Sequence, residues 1–139
     1  MKVLIGIALA LTGALIGIGQ GKEGGVGRGS GNVEHGKYIV QDVVQCIQCH
    51  TPRDESGALL TDRLLMGAPI PVRSPFPNQQ WAFHAPRIAG MPGYSEDEGI
   101  RLLTQGITRN GQPSRPPMLQ FHMTEQDARD VVAYLKSLE

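Results

Sequence analysis

Two cysteines separated by two residues and followed at once by a histidine, Cys46-Ile47-Gln48-Cys49-His50, constrain this chain more than any other stretch. The pentapeptide is the attachment signature of c-type haem. Its spacing has a chemical reason. Each sulfur adds to a vinyl group of the porphyrin, and one helical turn presents both thiols to the same edge of the ring. The next side chain, His50, then stands where a proximal iron ligand is needed. Other uses of a Cys-x-x-Cys fit less well. Structural zinc needs a full set of cysteine or histidine ligands, and with 2 Cys in the chain the rest would come from His35, His84 or His122 at irregular spacing. A dithiol redox site belongs beside a strand–helix–strand pattern, and none surrounds this one. An inert buried pair would leave the histidine unexplained.

Composition agrees with a cofactor-filled interior. Aromatics make up 5% of the 139 residues, a thin supply for a core, and a buried haem would add a large flat apolar plate. The 18 Gly and 10 Pro predict long irregular loops around a few helices. Both cysteines lie in the motif, so no structural disulfide is expected. Formal charge is +0, with 13 basic and 13 acidic residues, which gives no reason to expect a nucleic-acid partner.

The chain divides into three parts. Residues 1–20 hold Lys2 and then an uncharged run, 3–18, which reads as a signal peptide or a membrane anchor formed by residues 3–19. Either one predicts export, with a soluble or an anchored periplasmic product. Residues 21–32 carry six glycines at 21, 24, 25, 27, 29 and 31 and read as a flexible linker. Residues 33–139 form the folded domain.

Within that domain three segments carry helical signals. Ile39, Val40, Val43 and Val44 give an apolar stripe to a helix over 33–45, which delivers the cysteine motif. Ser95-Glu96-Asp97-Glu98 is a capping-box pattern, with Ile100, Leu102 and Leu103 behind it and Gly106 as terminator. Thr124 opens the last helix, whose stripe is Ala128, Val131, Val132, Leu135 and Leu138. Residues 54–88, punctuated by Pro69, Pro71, Pro75, Pro77 and Pro86, read as a loop wrapped on the haem. Trp81, Arg73 and Arg87 in it are candidates for the propionates, and His35 is expected to be solvated.

A haem that transfers electrons takes a second axial ligand from the protein, and methionine raises its potential. Met118 follows Pro116-Pro117, whose fixed φ angles lower the entropy of holding a sulfur at the iron. Met118 is therefore the expected distal ligand. Met123 and Met91 are the alternatives, although Met123, before Thr124, suits a hydrophobic staple and Met91 precedes Pro92 in a turn-like stretch. Met66 falls in the loop, any lone methionine can serve as core filler, and His84 or His122 would give a lower-potential bis-histidine iron.

Taken in order, Gly36-Lys37-Tyr38, the stretch from Cys46 to Arg53, Arg115-Pro116-Pro117-Met118 and Tyr134-Leu135-Lys136-Ser137-Leu138 resemble a bacterial class I cytochrome c. They are particularly similar to the monohaem domains associated with periplasmic dehydrogenases and oxidases. The resemblance implies an all-α cytochrome c fold: three to four short helices and long loops enclosing one covalent haem c, with Gly36 and Tyr134 at the crossing of the first and last helices. It assigns Cys46 and Cys49 to the thioethers and His50 and Met118 to the iron. A proline carbonyl is expected on the histidine ring, but the sequence does not choose among Pro69, Pro71 and their neighbours. The function expected is single-electron transfer between exported redox proteins met through a transient interface. The alternatives are an electron-accepting subunit of a membrane or periplasmic dehydrogenase complex, a haem-free thiol–disulfide oxidoreductase using the cysteine pair, and a sensor with an open iron.

Overall fold

The computed structural model describes residues 30–138; the expected leader, 1–20, and most of the expected linker, 21–32, lie outside them. Four α-helices and one short ribbon carry the chain: α1 (Val33–Tyr38), α2 (Ile47–His50), β1 (Ala68–Pro69), β2 (His84–Ala85), α3 (Glu96–Gln105) and α4 (Glu125–Lys136).

The first helix departs from expectation. Asn32 caps it, accepting the His35 N–H at 3.1 Å, but α-helical geometry stops at Tyr38 and a π-helical turn, Ile39–Val43, follows. The Val44 N–H reaches back to the Ile39 carbonyl and the Cys46 N–H to the Val40 carbonyl, both at 2.8 Å. Crowded β-branched side chains weaken α-helix here, and a widened turn of this kind commonly sits at a functional site. Gln45 then takes a left-handed φ of 56°, so the helix expected over 33–45 never reaches the cysteines as one piece. The chain is re-aimed into α2 instead.

The two later helices follow their caps. Ser95 and Glu98 form a complete capping box on α3, and Gly106 ends it with a φ of 71°. Thr124 accepts the Asp127 N–H at 3.1 Å to open α4. Helix α4 buries Ala128, Val131, Val132, Tyr134 and Leu135, and lies between α1 and α3.

The α1–α4 crossing depends on Gly36, since a Cβ there would meet the Asp130 carbonyl oxygen at 1.9 Å. Tyr134 is buried at the same crossing, and its hydroxyl accepts from Gln41 Nε2 at 2.6 Å. His35 is exposed, as expected, and its ring also bonds Asp130 Oδ2 through Nδ1 at 2.7 Å. The buried Asp130 also accepts the Asn32 N–H at 2.7 Å and Gln126 Nε2 at 2.8 Å. A carboxylate inside a helix crossing must be satisfied, and these donors do it.

The 54–88 stretch is irregular as expected, apart from a 3₁₀ turn at Thr61–Arg63 and the ribbon. Strand β1 pairs antiparallel with β2, Ala68 opposite Ala85 and Pro69 opposite His84.

Candidate functional site

Cys46, Cys49 and His50 occupy one helical turn, closed by the His50 N–H on the Cys46 carbonyl at 3.0 Å. Side chains three and four positions apart share a helix face, so both sulfurs and the imidazole leave the backbone on one side. Arg53 clamps the turn from outside. Its guanidinium donates to the Gly57 carbonyl at 2.7 Å and to the Gln48 side-chain oxygen at 2.6 Å.

The ring of His50 is buried, 5% exposed, and its Nδ1 lies 2.7 Å from the Pro86 carbonyl oxygen. A carbonyl only accepts, so the proton sits on Nδ1 and the lone pair on Nε2. Burial holds the ring pKa below the ordinary histidine value, outweighing the opposing Pro86 hydrogen bond, with a further downward push from His84. The ring is neutral at pH 7, as a metal ligand must be.

Pro86 owes its position to the ribbon. The Gly67 N–H bonds the His50 carbonyl at 2.7 Å, β1 follows, and β2 ends one residue before Pro86. Beyond it, the N–H groups of Ile88 and Ala89 both bond the Leu65 carbonyl, at 3.0 and 3.1 Å. The Leu65 N–H in turn bonds Oγ1 of the buried Thr51 at 3.0 Å. The chain therefore loops from His50 back onto His50.

The motif faces a cavity of about 580 Å³ lined mainly by apolar side chains from α3, α4, the ribbon and the loops around them, among them Ile70, Ala85, Leu103, Phe121 and Leu135. That volume lies inside the range of roughly 300–1,000 Å³ typical of cofactor sites. Cys46, Cys49, His50 and Met118 all line it. Met118 sits in a turn closed by its N–H on the Arg115 carbonyl at 3.1 Å, and the Pro116 carbonyl accepts the Ala82 N–H at 2.7 Å.

The other candidates sit differently. Met123 lies outside the cavity, its side chain packed on the core and its N–H on the Leu103 carbonyl at 3.0 Å. Met91 borders the cavity, but its terminal methyl faces Gly99 on α3, where an added Cβ would meet it at 2.9 Å. Met66 is exposed. His84 lines the cavity and His122 does not. Of the three propionate candidates only Arg87 lines it; Trp81 Nε1 donates to the Val72 carbonyl at 2.9 Å. Arg109 and Arg115 line the cavity and went unrecognised in the sequence, because nothing local separates them from surface arginines.

The donor set fits a covalent haem. Two sulfurs and a metal-competent imidazole share one wall of an apolar chamber. It does not suit a reactive dithiol. As a free thiol Cys46 is pushed up to about 11 by burial, with Cys49 adding to the rise against its own backbone hydrogen bond. Redox-active cysteines need the opposite shift.

A cysteine–histidine turn facing such a chamber, with α3 and α4 on its walls, defines a c-type haem protein. The Cytochrome c family model matches residues 33–139, and the chain belongs to that family. It binds a covalent haem c, and its activity is haem-based electron transfer. Comparison with curated proteins finds no match.

Proposed function

We propose that residues 33–139 are an exported single-electron carrier in which Cys46 and Cys49 hold the haem as thioethers and His50 and Met118 ligate its iron. The observation that carries this reading is the 2.7 Å hydrogen bond from His50 Nδ1 to the Pro86 carbonyl, in a cavity that Met118 also lines. Bound there, the haem supplies one reversible Fe(III)/Fe(II) couple.

Each residue has a defined task. Pro86 fixes the tautomer and orientation of His50, as partners of metal-bound histidines do. Met118 offers a soft thioether that favours the reduced metal. The apolar walls exclude water and lower the local dielectric, which disfavours added charge. Were His50 and Met118 both to ligate the iron, they would leave it no position for a substrate, and the task would reduce to passing one electron.

The partners we assign are other exported redox proteins, periplasmic dehydrogenases and oxidases by the likeness of residues 36–38, 46–53, 115–118 and 134–138, taken together, to such domains. Export rests on the uncharged run 3–18. Intact mass of the purified mature chain tests the attachment. It should equal polypeptide plus one haem, with neither sulfhydryl titratable; a colourless product with reactive thiols overturns the reading. Met118→Ala should abolish the sulfur-to-iron charge-transfer band of the oxidised spectrum, and Met123→Ala should leave it in place.

A further inference from the structure

The segment from Ala82 to Pro86 reaches both sides of the site. At one end the Ala82 N–H bonds the Pro116 carbonyl at 2.7 Å, inside the turn that the Met118 N–H closes on the Arg115 carbonyl at 3.1 Å. At the other end the Pro86 carbonyl accepts from His50 Nδ1 at 2.7 Å. The residues between are paired along their length. The Ile70 N–H bonds the Phe83 carbonyl at 2.9 Å, and His84 and Ala85 lie opposite Pro69 and Ala68 in the ribbon. Ala82, His84, Ala85 and Pro86 all line the cavity.

The anchor of this segment lies away from the cavity. Ile88 and Ala89 both donate to the Leu65 carbonyl, and Leu65 is fully buried with a left-handed φ of 59°. A bulky residue enters that region only at a cost, so its surroundings must hold it there. Thr51 does part of this, its Oγ1 accepting the Leu65 N–H at 3.0 Å. Thr51 directly follows His50, so the path of bonds closes where it began. Neither Thr51 nor Leu65 lines the cavity. Their influence on the cofactor therefore runs through the backbone they hold.

We propose that Thr51 is a positioning residue for both axial ligands. Its hydroxyl sets Leu65, Leu65 sets the segment 82–86, and that segment holds His50 through Pro86 and the Met118 turn through Ala82. This rests on the His50 and Met118 ligation proposed above and adds that the two are mechanically coupled. Packed, hydrogen-bonded segments of this kind carry a displacement from one end to the other. Loosening the histidine side should therefore free the methionine, although Thr51 touches neither side chain's place at the iron.

Two rates in the oxidised holoprotein measure the two ends. Solvent exchange of the His50 Nδ1 proton, followed by NMR, reports the Pro86 bond. The limiting rate at which added imidazole replaces Met118, followed by loss of the sulfur-to-iron band, reports the release of the Met118 turn. Thr51→Val strands the Leu65 N–H and should raise each rate by about tenfold. Thr51→Ser keeps the acceptor and should return both towards the parent. Val132→Ala trims a buried side chain of α4 that does not line the cavity, and should lower the melting temperature without moving either rate. In the parent itself, sub-denaturing urea should raise the two rates in parallel, a readout that needs no variant to fold. Faster proton exchange with an unchanged methionine rate, in Thr51→Val or in urea, means that the two sides are held separately and overturns the coupling. No change in either rate, or an equal rise in Val132→Ala, overturns it as well. A sulfur-to-iron band that survives Met118→Ala overturns the ligation reading, and the coupling with it.

Discussion

At the scale of single residues, the site turns on one carbonyl that sequence could not select. The cysteines and histidine announce themselves by spacing, but Pro86 lies 36 positions from His50 and is one of several prolines in a loop. What selects it is the register of a two-residue ribbon and the anchoring of Leu65, neither of which leaves a periodic trace. Thr51 shows how far this anchoring depends on one hydroxyl. It is 1% exposed, and its Oγ1 accepts the Leu65 N–H. Thr51→Val keeps the shape and strands that N–H, which costs about 1–3 kcal/mol. Because the Leu65 carbonyl holds the backbone just beyond Pro86, the histidine tether should loosen with it. Thermal melting of the holoprotein is expected to drop by several degrees, and Thr51→Ser, which keeps the acceptor, should recover most of the loss. Equal losses in the two variants would mean that methyl packing, and not the hydrogen bond, matters here.

At the scale of elements, legibility followed the strength of local signals. Caps and a sustained apolar stripe marked both ends of α3 and the start of α4, because those determinants are contained in the helix itself. The segment before Cys46 carried the same stripe, yet its β-branched run let tertiary demands convert five residues to a π-helical turn. The bond from the exposed His35 to Asp130 left no trace in the sequence because the two lie 95 positions apart. That partnership gives the α1–α4 crossing a pH dependence. Burial works to raise the Asp130 pKa, but the bonds from Asn32, His35 and Gln126 outweigh it and hold the carboxyl below the ordinary aspartate range. A folded-state pKa below the unfolded one means stability that is present above the unfolded value and lost as pH falls through the folded one. The unfolded value is about 3.9. Asp54 and Glu98 are lowered too, but both are solvent-exposed and count for little. Asp130→Asn should therefore be less stable than the parent at pH 7, and the gap should narrow on acidification towards pH 3. Denaturant unfolding at the two pH values measures it, and a constant gap would remove the carboxylate's charge from the account.

At the scale of the whole molecule, the poverty of aromatics and the size of the cavity are one fact seen twice. Of the seven aromatic side chains only Tyr134 is in the core, while Tyr38, Phe76 and Phe83 are exposed. The helices instead converge on a chamber of about 580 Å³. At roughly 24 cal/mol per Å³, holding such a space open without its occupant would cost at most on the order of 14 kcal/mol. The full stability of a domain is only about 5–15 kcal/mol. The ceiling is comparable with the whole stability of a domain, so a chain that cannot attach haem loses much of the margin that keeps this architecture. A Cys46→Ser/Cys49→Ser variant should accordingly lose its cooperative thermal transition and much of its helical circular dichroism, even though both substitutions are small and Cys49 is exposed. Added haem should restore part of the signal, since His50 and the apolar walls remain. A haem-free double variant that melts cooperatively near the holoprotein would mean that the helices close on themselves without the plate, and the thin core would then need another explanation.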